Sequence, residues 1–122
     1  MGMCLTIYHL GADEDDDAAI TLHNHPDFME LVGNALQAVG EWRISRYDDW
    51  ILETEHLQHL QRELEALAAA HGARPMTRAA IRAVLDGWEP EDPWAVIAAY
   101  LYVVDVALDW VDQQRFVACT IG

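Results

Sequence analysis

Glutamate and histidine side chains recur at short intervals near the middle of the sequence. They are Glu53, His56, His59 and Glu63. Their spacings of three, three and four residues place them on one face of a helix. Glu and His ligands three residues apart occur in di-iron helix bundles. Those sites need a matching motif on a second helix, which this sequence lacks. We therefore interpret the cluster as a polar helix flank, with a metal site as the alternative.

A second histidine cluster lies just before the first proline. His23 and His25 are separated by one residue, a pattern that binds metals from extended segments but is common in proteins. Asn24 or His25 as a helix cap ahead of Pro26 is the interpretation we favour, because proline suits the first position of a helix. The acidic run at residues 13–17 lacks the glycine and distal glutamate of an EF-hand, so no calcium site is predicted.

Nucleophiles and cofactor motifs are sparse. Ser45 is the only serine, and the sequence has no nucleophile elbow, phosphate-binding loop or dinucleotide fingerprint. Cys4 and Cys119 are the only cysteines, and without an export signal we expect reduced, buried thiols. Their places near the two ends would allow them to be neighbours if those ends pair, and whether they are adjacent is left open. We predict a protein that is not an enzyme and that uses no cofactor and no metal.

Charge is the most unusual property of the chain. Its 122 residues include 21 acidic and seven basic residues, for a net charge of -14. All seven basic residues are arginine. Such a protein repels nucleic acid and anionic membranes and attracts basic proteins or metal cations. The composition therefore predicts a basic protein as the partner, with no nucleic acid and no membrane bound.

Three aspartates stand out because they interrupt an apolar segment. Asp105, Asp109 and Asp112 fall at i, i+4 and i+7 and so share one helix face. An ordinary solvent-facing surface is one interpretation, and a docking surface for a cationic partner is the sharper one. The residues predicted for that surface are Asp13, Glu14, Asp15, Asp16, Asp17, Asp105, Asp109, Trp110 and Asp112.

The segment that carries these aspartates is predicted to be the central helix, at residues 92–114. Asp92 is a suitable cap, and Pro93 occupies the first helical position without losing a hydrogen bond. Eleven apolar residues then run from Trp94 to Val104. That run is shorter than the ~20 residues that span a bilayer, so we expect a core helix.

Periodicity defines the elements that must position these residues. Alternation at residues 3–9 predicts a strand, and residues 18–22 suggest a second. Apolar residues at helical spacing predict helices at residues 26–39 and 54–70 and a short one after Thr77, with Ile81, Val84, Leu85 and Trp88 on its apolar face. Residues 42–52 are left open between strand and helix, and residues 115–121 favour a closing strand.

These elements predict one domain covering residues 1–122. We expect an α+β fold that is mainly α, with about four helices closed by a small sheet in which the N- and C-terminal strands pair. The acidic run at residues 13–17 is predicted to be a solvated loop.

Three segments give the chain a resemblance to a class of proteins. They are residues 47–64 (YDDWILETEHLQHLQREL), the late tryptophan-bearing helix and the closing strand RFVACTIG. It resembles the immunity proteins of bacterial polymorphic and contact-dependent toxin systems. That resemblance implies a cytoplasmic inhibitor that covers the active site of a cognate, often basic, toxin, and no functional residue is carried over from it. The alternatives are a phage-encoded acidic DNA mimic, such as an anti-CRISPR protein, and a small metal-binding helical protein using Glu53, His56 and His59. The oligomeric state is left open.

Overall fold

Five antiparallel strands form one sheet in the part of the chain that the structure describes. The structure is a computed structural model that describes residues 4–10, 19–23, 25–39, 43–44, 50–72, 74–113 and 116–121. The strands are β1 (Cys4–Leu10), β2 (Ala19–His23), β3 (Arg43–Ile44), β4 (Trp50–Leu52) and β5 (Phe116–Ile121). Their order across the sheet is β2-β1-β5-β4-β3, which places the first and last strands side by side at the centre.

The pairing of β1 with β5 confirms the predicted closure of the fold. Leu5 and Ile7 alternate along β1 with half-buried residues and are completely buried, as the period of two requires. Ile7 lies opposite Cys119, whereas Cys4 lies three residues further along β1. Because side chains alternate between the two faces of a sheet, Cys4 and Cys119 lie on opposite faces and are not neighbours, although the terminal strands pair. Neither cysteine forms a disulfide, and Cys119 is buried as expected whereas Cys4 is only partly buried.

Four helices cover this sheet among the described residues. They are α1 (Pro26–Val39), α2 (Thr54–His71), α3 (Arg78–Leu85) and α4 (Val96–Asp112). Helix α4 packs against α2 and α3, and α1 packs against α2. The predicted class, mainly helical α+β with paired terminal strands, is confirmed.

The central helix differs in one respect from the prediction. Residues 92–114 do not form one continuous α-helix: a 3-10 turn at Pro93–Ala95 precedes α4. By length and composition, Pro93–Asp112 is also apolar enough to cross a membrane, with 20 residues and a mean hydropathy of 1.6. The core helix of a folded domain passes the same test. Seven buried side chains attach α4 to its neighbours, namely Ile97, Ala99, Tyr100, Val103, Val104, Ala107 and Trp110.

Two other predicted features are now settled. Of residues 42–52, Arg43–Ile44 and Trp50–Leu52 are extended and paired, so the described part of this segment is strand. Trp88 was predicted on the apolar face of α3, and that is wrong: α3 ends at Leu85, and Trp88 is 53% exposed. The acidic residues 13–17 lie outside the described residues.

Gly33 and Gly87 provide a matched test of the backbone, since both receive the same added methyl group as alanine. Gly33 lies inside α1, where a Cβ would meet no atom within 4 Å, so Gly33→Ala is expected to stabilise the fold by roughly 0.5–1 kcal/mol. Gly87 has φ of 107°, so Gly87→Ala is expected to cost about 1–2 kcal/mol. Chemical denaturation of the two variants measures both changes. Equal signs would contradict the backbone conformation described here.

Candidate partner-binding face

The three aspartates of α4 lie on one exposed helix face. Asp105, Asp109 and Asp112 are all exposed. The Oδ1 atom of Asp105 accepts a hydrogen bond of 2.9 Å from Nε2 of Gln61 on α2, and Gln113 donates a bond of 3.0 Å to Oδ2 of Asp109. The geometry is that of the predicted acidic line, and its role in binding a partner stays a prediction.

Trp110 does not belong to that acidic surface. It is only 7% exposed, and its ring packs edge-on against His9 of β1 with the ring centroids 4.8 Å apart. Because Trp110 is one position after Asp109, it is rotated by about 100° around the helix axis, which turns it toward the sheet. The expectation that Trp110 accompanies the aspartates as an exposed aromatic contact is therefore wrong.

Two members of the glutamate–histidine cluster, Glu53 and His56, lie at the start of α2. Glu53 is its N-cap, and Glu53 and His56 form a reciprocal capping box, in which the backbone N–H of Glu53 donates to Nδ1 of His56 over 3.0 Å. His56 is only 1% exposed, so its predicted place on a polar helix flank is wrong: its side chain is buried at the start of α2. His59 instead lies 3.6 Å from Glu63, measured from Nε2 to Oε1. Among the described residues, no group of three or more His, Cys, Asp or Glu is arranged to hold a metal ion.

The histidines of the second cluster have separate partners. Nδ1 of His23 lies 3.3 Å from Sγ of Cys4 across the β1–β2 pair. His25 is 7% exposed and precedes α1, where its backbone carbonyl accepts from the N–H of Met29. The predicted helix start at Pro26 is therefore confirmed, and the His25 side chain is used elsewhere.

Two tryptophans are the exposed large apolar side chains among the described residues, and both lie between α3 and α4. Trp88 is 53% exposed and Trp94 is 40% exposed. The connection that carries them, residues 86–94, also contains Asp86, Glu89, Glu91 and Asp92, all exposed, and no basic residue occurs between Arg82 and Arg115. We call residues 86–94 together with Asp27 of α1 the tryptophan face.

Local backbone motifs fix both tryptophans in place. The end of α3 is a Schellman turn, in which Gly87 N–H donates to Val84 O over 3.0 Å and Trp88 N–H donates to Ala83 O over 2.9 Å. Oδ1 of Asp92 accepts from Trp94 N–H over 3.0 Å, which caps the following turn. Trp88 and Trp94 are therefore held on defined turns.

The ring of Trp94 has an additional support at the end of α2. It stacks on the imidazole of His71 with ring centroids 3.4 Å apart and an interplanar angle of 2°. Gly72 then ends α2 in the left-handed conformation, with φ of 63°. The stack joins the tryptophan face to α2 and limits the rotation of the indole.

Two hollows open on this face. One, of about 350 Å³, has a lining that includes Asp27, Trp88, Glu89 and Tyr100. The second, of about 210 Å³, lies beside Trp94 and is lined mainly by apolar side chains, including Leu31, Leu64, Leu67 and Ile97. Both hollows share Asp27, Pro93, Val96 and Tyr100, so they lie on either side of the start of α4.

A buried hydrogen-bond chain forms the floor of the larger hollow. Nε2 of His25 lies 2.7 Å from the backbone carbonyl of Val84, and Nδ1 lies 2.8 Å from the hydroxyl of Tyr100. A carbonyl only accepts, so Nε2 carries the proton, and the neutral imidazole then accepts at Nδ1 from the Tyr100 hydroxyl. The chain joins α1, α3 and α4 beneath the tryptophan face.

The electrostatics of the hollow affect Tyr100. Burial, with a further contribution from the negative charge of Asp27, raises the pKa of the Tyr100 phenol to about 12 from 10.0. Both causes disfavour the phenolate. The hollow itself is lined by the carboxylates of Asp27 and Glu89 and by no arginine among the described residues, which favours a cation there.

The sequence contained a signal for this face that the periodicity argument passed over. Trp88 was assigned to the apolar stripe of α3 because it falls three residues after Leu85, although Gly87 ends the helix between them. Two tryptophans among prolines and acidic residues, outside any periodic pattern, indicate exposed aromatic residues. Asp27, in contrast, joins the face only through the packing of α1, which spacing does not reveal.

Comparison of the chain with protein-family models, curated proteins and solved structures gave no significant match.

The raised pKa of Tyr100 predicts a specific loss of stability at alkaline pH. The unfolded chain releases this proton near pH 10 and the folded protein near 12, so the stabilising contribution is present below pH 10 and disappears as the pH rises to 12. The free energy of unfolding is expected to fall by about 2–3 kcal/mol across that window. Denaturation at stepped pH measures it, and the absence of lysine limits competing titrations.

Tyr100→Phe is expected to remove this contribution to the alkaline fall while lowering stability near neutral pH by about 1 kcal/mol, because His25 loses its hydroxyl donor. Tyr102→Phe, on the same helix, is the matched control and is expected to retain the contribution from Tyr100. An unchanged alkaline profile in Tyr100→Phe would contradict the argument.

Proposed function

We propose that this protein is a cytoplasmic immunity protein that binds and neutralises a cognate basic toxin. The observation that carries the proposal is the tryptophan face, where two exposed indoles lie among carboxylates in a stretch without basic residues. Tryptophan is among the residues most enriched at the energetic centres of protein interfaces. The resemblance noted from the sequence supports the same class of function.

The net charge supports a basic partner. At -14, the protein presents a field that attracts cationic proteins and increases their rate of association. That attraction is screened over about 8–10 Å at physiological salt, so it steers encounter more than it holds the complex. The three aspartates of α4 add to this field from a second exposed surface.

The larger hollow fits a basic side chain of such a partner. An arginine or lysine entering it meets the Trp88 ring and the carboxylates of Asp27 and Glu89, which all line the hollow. A cation over an indole ring is stabilised by about 0.5–2 kcal/mol, and a partly desolvated carboxylate adds to that. The smaller apolar hollow beside Trp94 is suited to an adjacent aliphatic side chain. In this proposal the tryptophan face supplies the anchors.

Co-expression with the product of the adjacent upstream gene tests the function. The expected result is that the protein restores growth inhibited by the toxin and that the two proteins co-purify as a stable complex. The control is the toxin expressed with an unrelated acidic protein of similar size. Continued growth inhibition together with the absence of a complex would refute the proposal.

The contribution of the tryptophan face is tested with Trp88→Ala/Trp94→Ala in the same complex. Loss of two exposed anchors is expected to weaken affinity by at least about thirtyfold, mainly through faster dissociation. Because both side chains are partly exposed, the double variant is expected to fold, and circular dichroism checks this. Surface plasmon resonance at two salt concentrations measures both rate constants.

Asp105→Asn/Asp109→Asn/Asp112→Asn is the comparison variant on the other exposed surface. It is expected to slow association by a few-fold, most clearly at low salt, and to leave dissociation nearly unchanged. If the aspartate variant dissociates faster and the tryptophan variant dissociates at the native rate, the interface lies instead on the exposed face of α4.

A further inference from the structure

A groove between α3 and α4 is lined by arginine and apolar side chains. It lies between α3 and α4 at the edge strand β2 and has a volume of about 540 Å³, within the range of small-molecule sites. Arg78 and Arg82 of α3 form one wall, and Tyr102, Val106 and Trp110 of α4 form the other. No acidic residue lines it within the described part of the chain.

The two arginines extend from one face of α3 and have no partner among the described residues. They are four residues apart on α3, which places them on the same helix face with Cβ atoms about 6 Å apart. Both side chains are exposed, and neither makes an ion pair or hydrogen bond with other described residues. In a protein with three times as many acidic as basic residues, two guanidinium groups on one groove wall, with no carboxylate among the described lining residues, are a local reversal of charge.

The facing wall supplies apolar contact area. Trp110 is 7% exposed and Tyr102 is partly buried, while Ile20 and Ile81 also line the groove. Guanidinium groups bind carboxylate, sulfonate and phosphate oxygens in a bidentate manner and stack on aromatic rings. A ligand that satisfies both walls has an anionic head group attached to an aromatic or aliphatic body.

We propose that the α3–α4 groove is a binding site for a small amphiphilic anion, with Arg78 and Arg82 holding its anionic group and the wall formed by α4 holding its apolar body. This site is separate from the tryptophan face and does not depend on the proposed function. The ligand enters between α3 and α4, whereas a toxin docked on residues 86–94 contacts the connection at the opposite end of α3.

Anilinonaphthalene sulfonate is a suitable probe because it joins an anionic sulfonate to an aromatic body. Titration of the native protein with this probe at neutral pH is expected to show a saturable increase in fluorescence. In ¹H–¹⁵N correlation NMR spectra, the amide signals of Ile20, Ile81 and Val106 are expected to shift when the probe binds. Arg78→Gln/Arg82→Gln is expected to raise the Kd about tenfold, and Arg78→Lys/Arg82→Lys to raise it less.

Two controls separate the groove from general effects of charge and hydrophobicity. Arg62→Gln/Arg74→Gln changes the net charge equally at exposed arginines outside the groove and is expected to leave the Kd unchanged. Phenylnaphthylamine, which lacks the sulfonate, is expected to bind native protein and the Arg78→Gln/Arg82→Gln variant equally. Equal Kd values for the sulfonate probe in the two glutamine variants, or amide shifts confined to other regions, would overturn the proposal.

Discussion

The hydrogen-bond chain from the Tyr100 hydroxyl through His25 to the Val84 carbonyl is the interaction on which the proposed binding face depends. It connects the start of α1, the end of α3 and the second turn of α4, which are distant in sequence. A buried imidazole with an unsatisfied nitrogen would cost about 1–3 kcal/mol, so the three elements are held in the one arrangement that satisfies both nitrogens. The tryptophan face lies directly above this arrangement.

The same constraint couples charge to structure at this end of the molecule. Asp27 lies two residues after His25 in the first turn of α1, where the helix dipole favours a carboxylate. That placement brings its negative charge near Tyr100 and contributes to the raised pKa of the phenol. The same carboxylate thus favours the start of α1 and lines the hollow, where it adds negative charge near a buried phenol.

Sequence reasoning predicted the elements of this fold better than it predicted the candidate site. Helix α1 begins and ends where the periodicity indicated, and Leu57, Leu60 and Leu64 are buried as their spacing required, because burial of an amphipathic face depends on local pattern. Trp88 was predicted on an apolar helix face and is exposed, whereas Trp110 was predicted on the binding surface and is buried. Gly87 turns the chain before Trp88, and Trp110 lies one position beyond an exposed aspartate. In both cases a difference of one residue along the chain determined whether the tryptophan is exposed or buried.

The positions of Trp88 and Trp94 also explain why two exposed indoles are compatible with a specific interface. An aromatic side chain on a mobile loop loses conformational entropy when it binds, and that loss subtracts from affinity. Here the Schellman turn after α3 fixes the backbone of Trp88, and the Asp92 cap together with the stack on His71 fixes Trp94. Much of that ordering cost is met during folding. The surrounding carboxylates repel other acidic proteins, so the exposed rings are accessible mainly to partners of opposite charge.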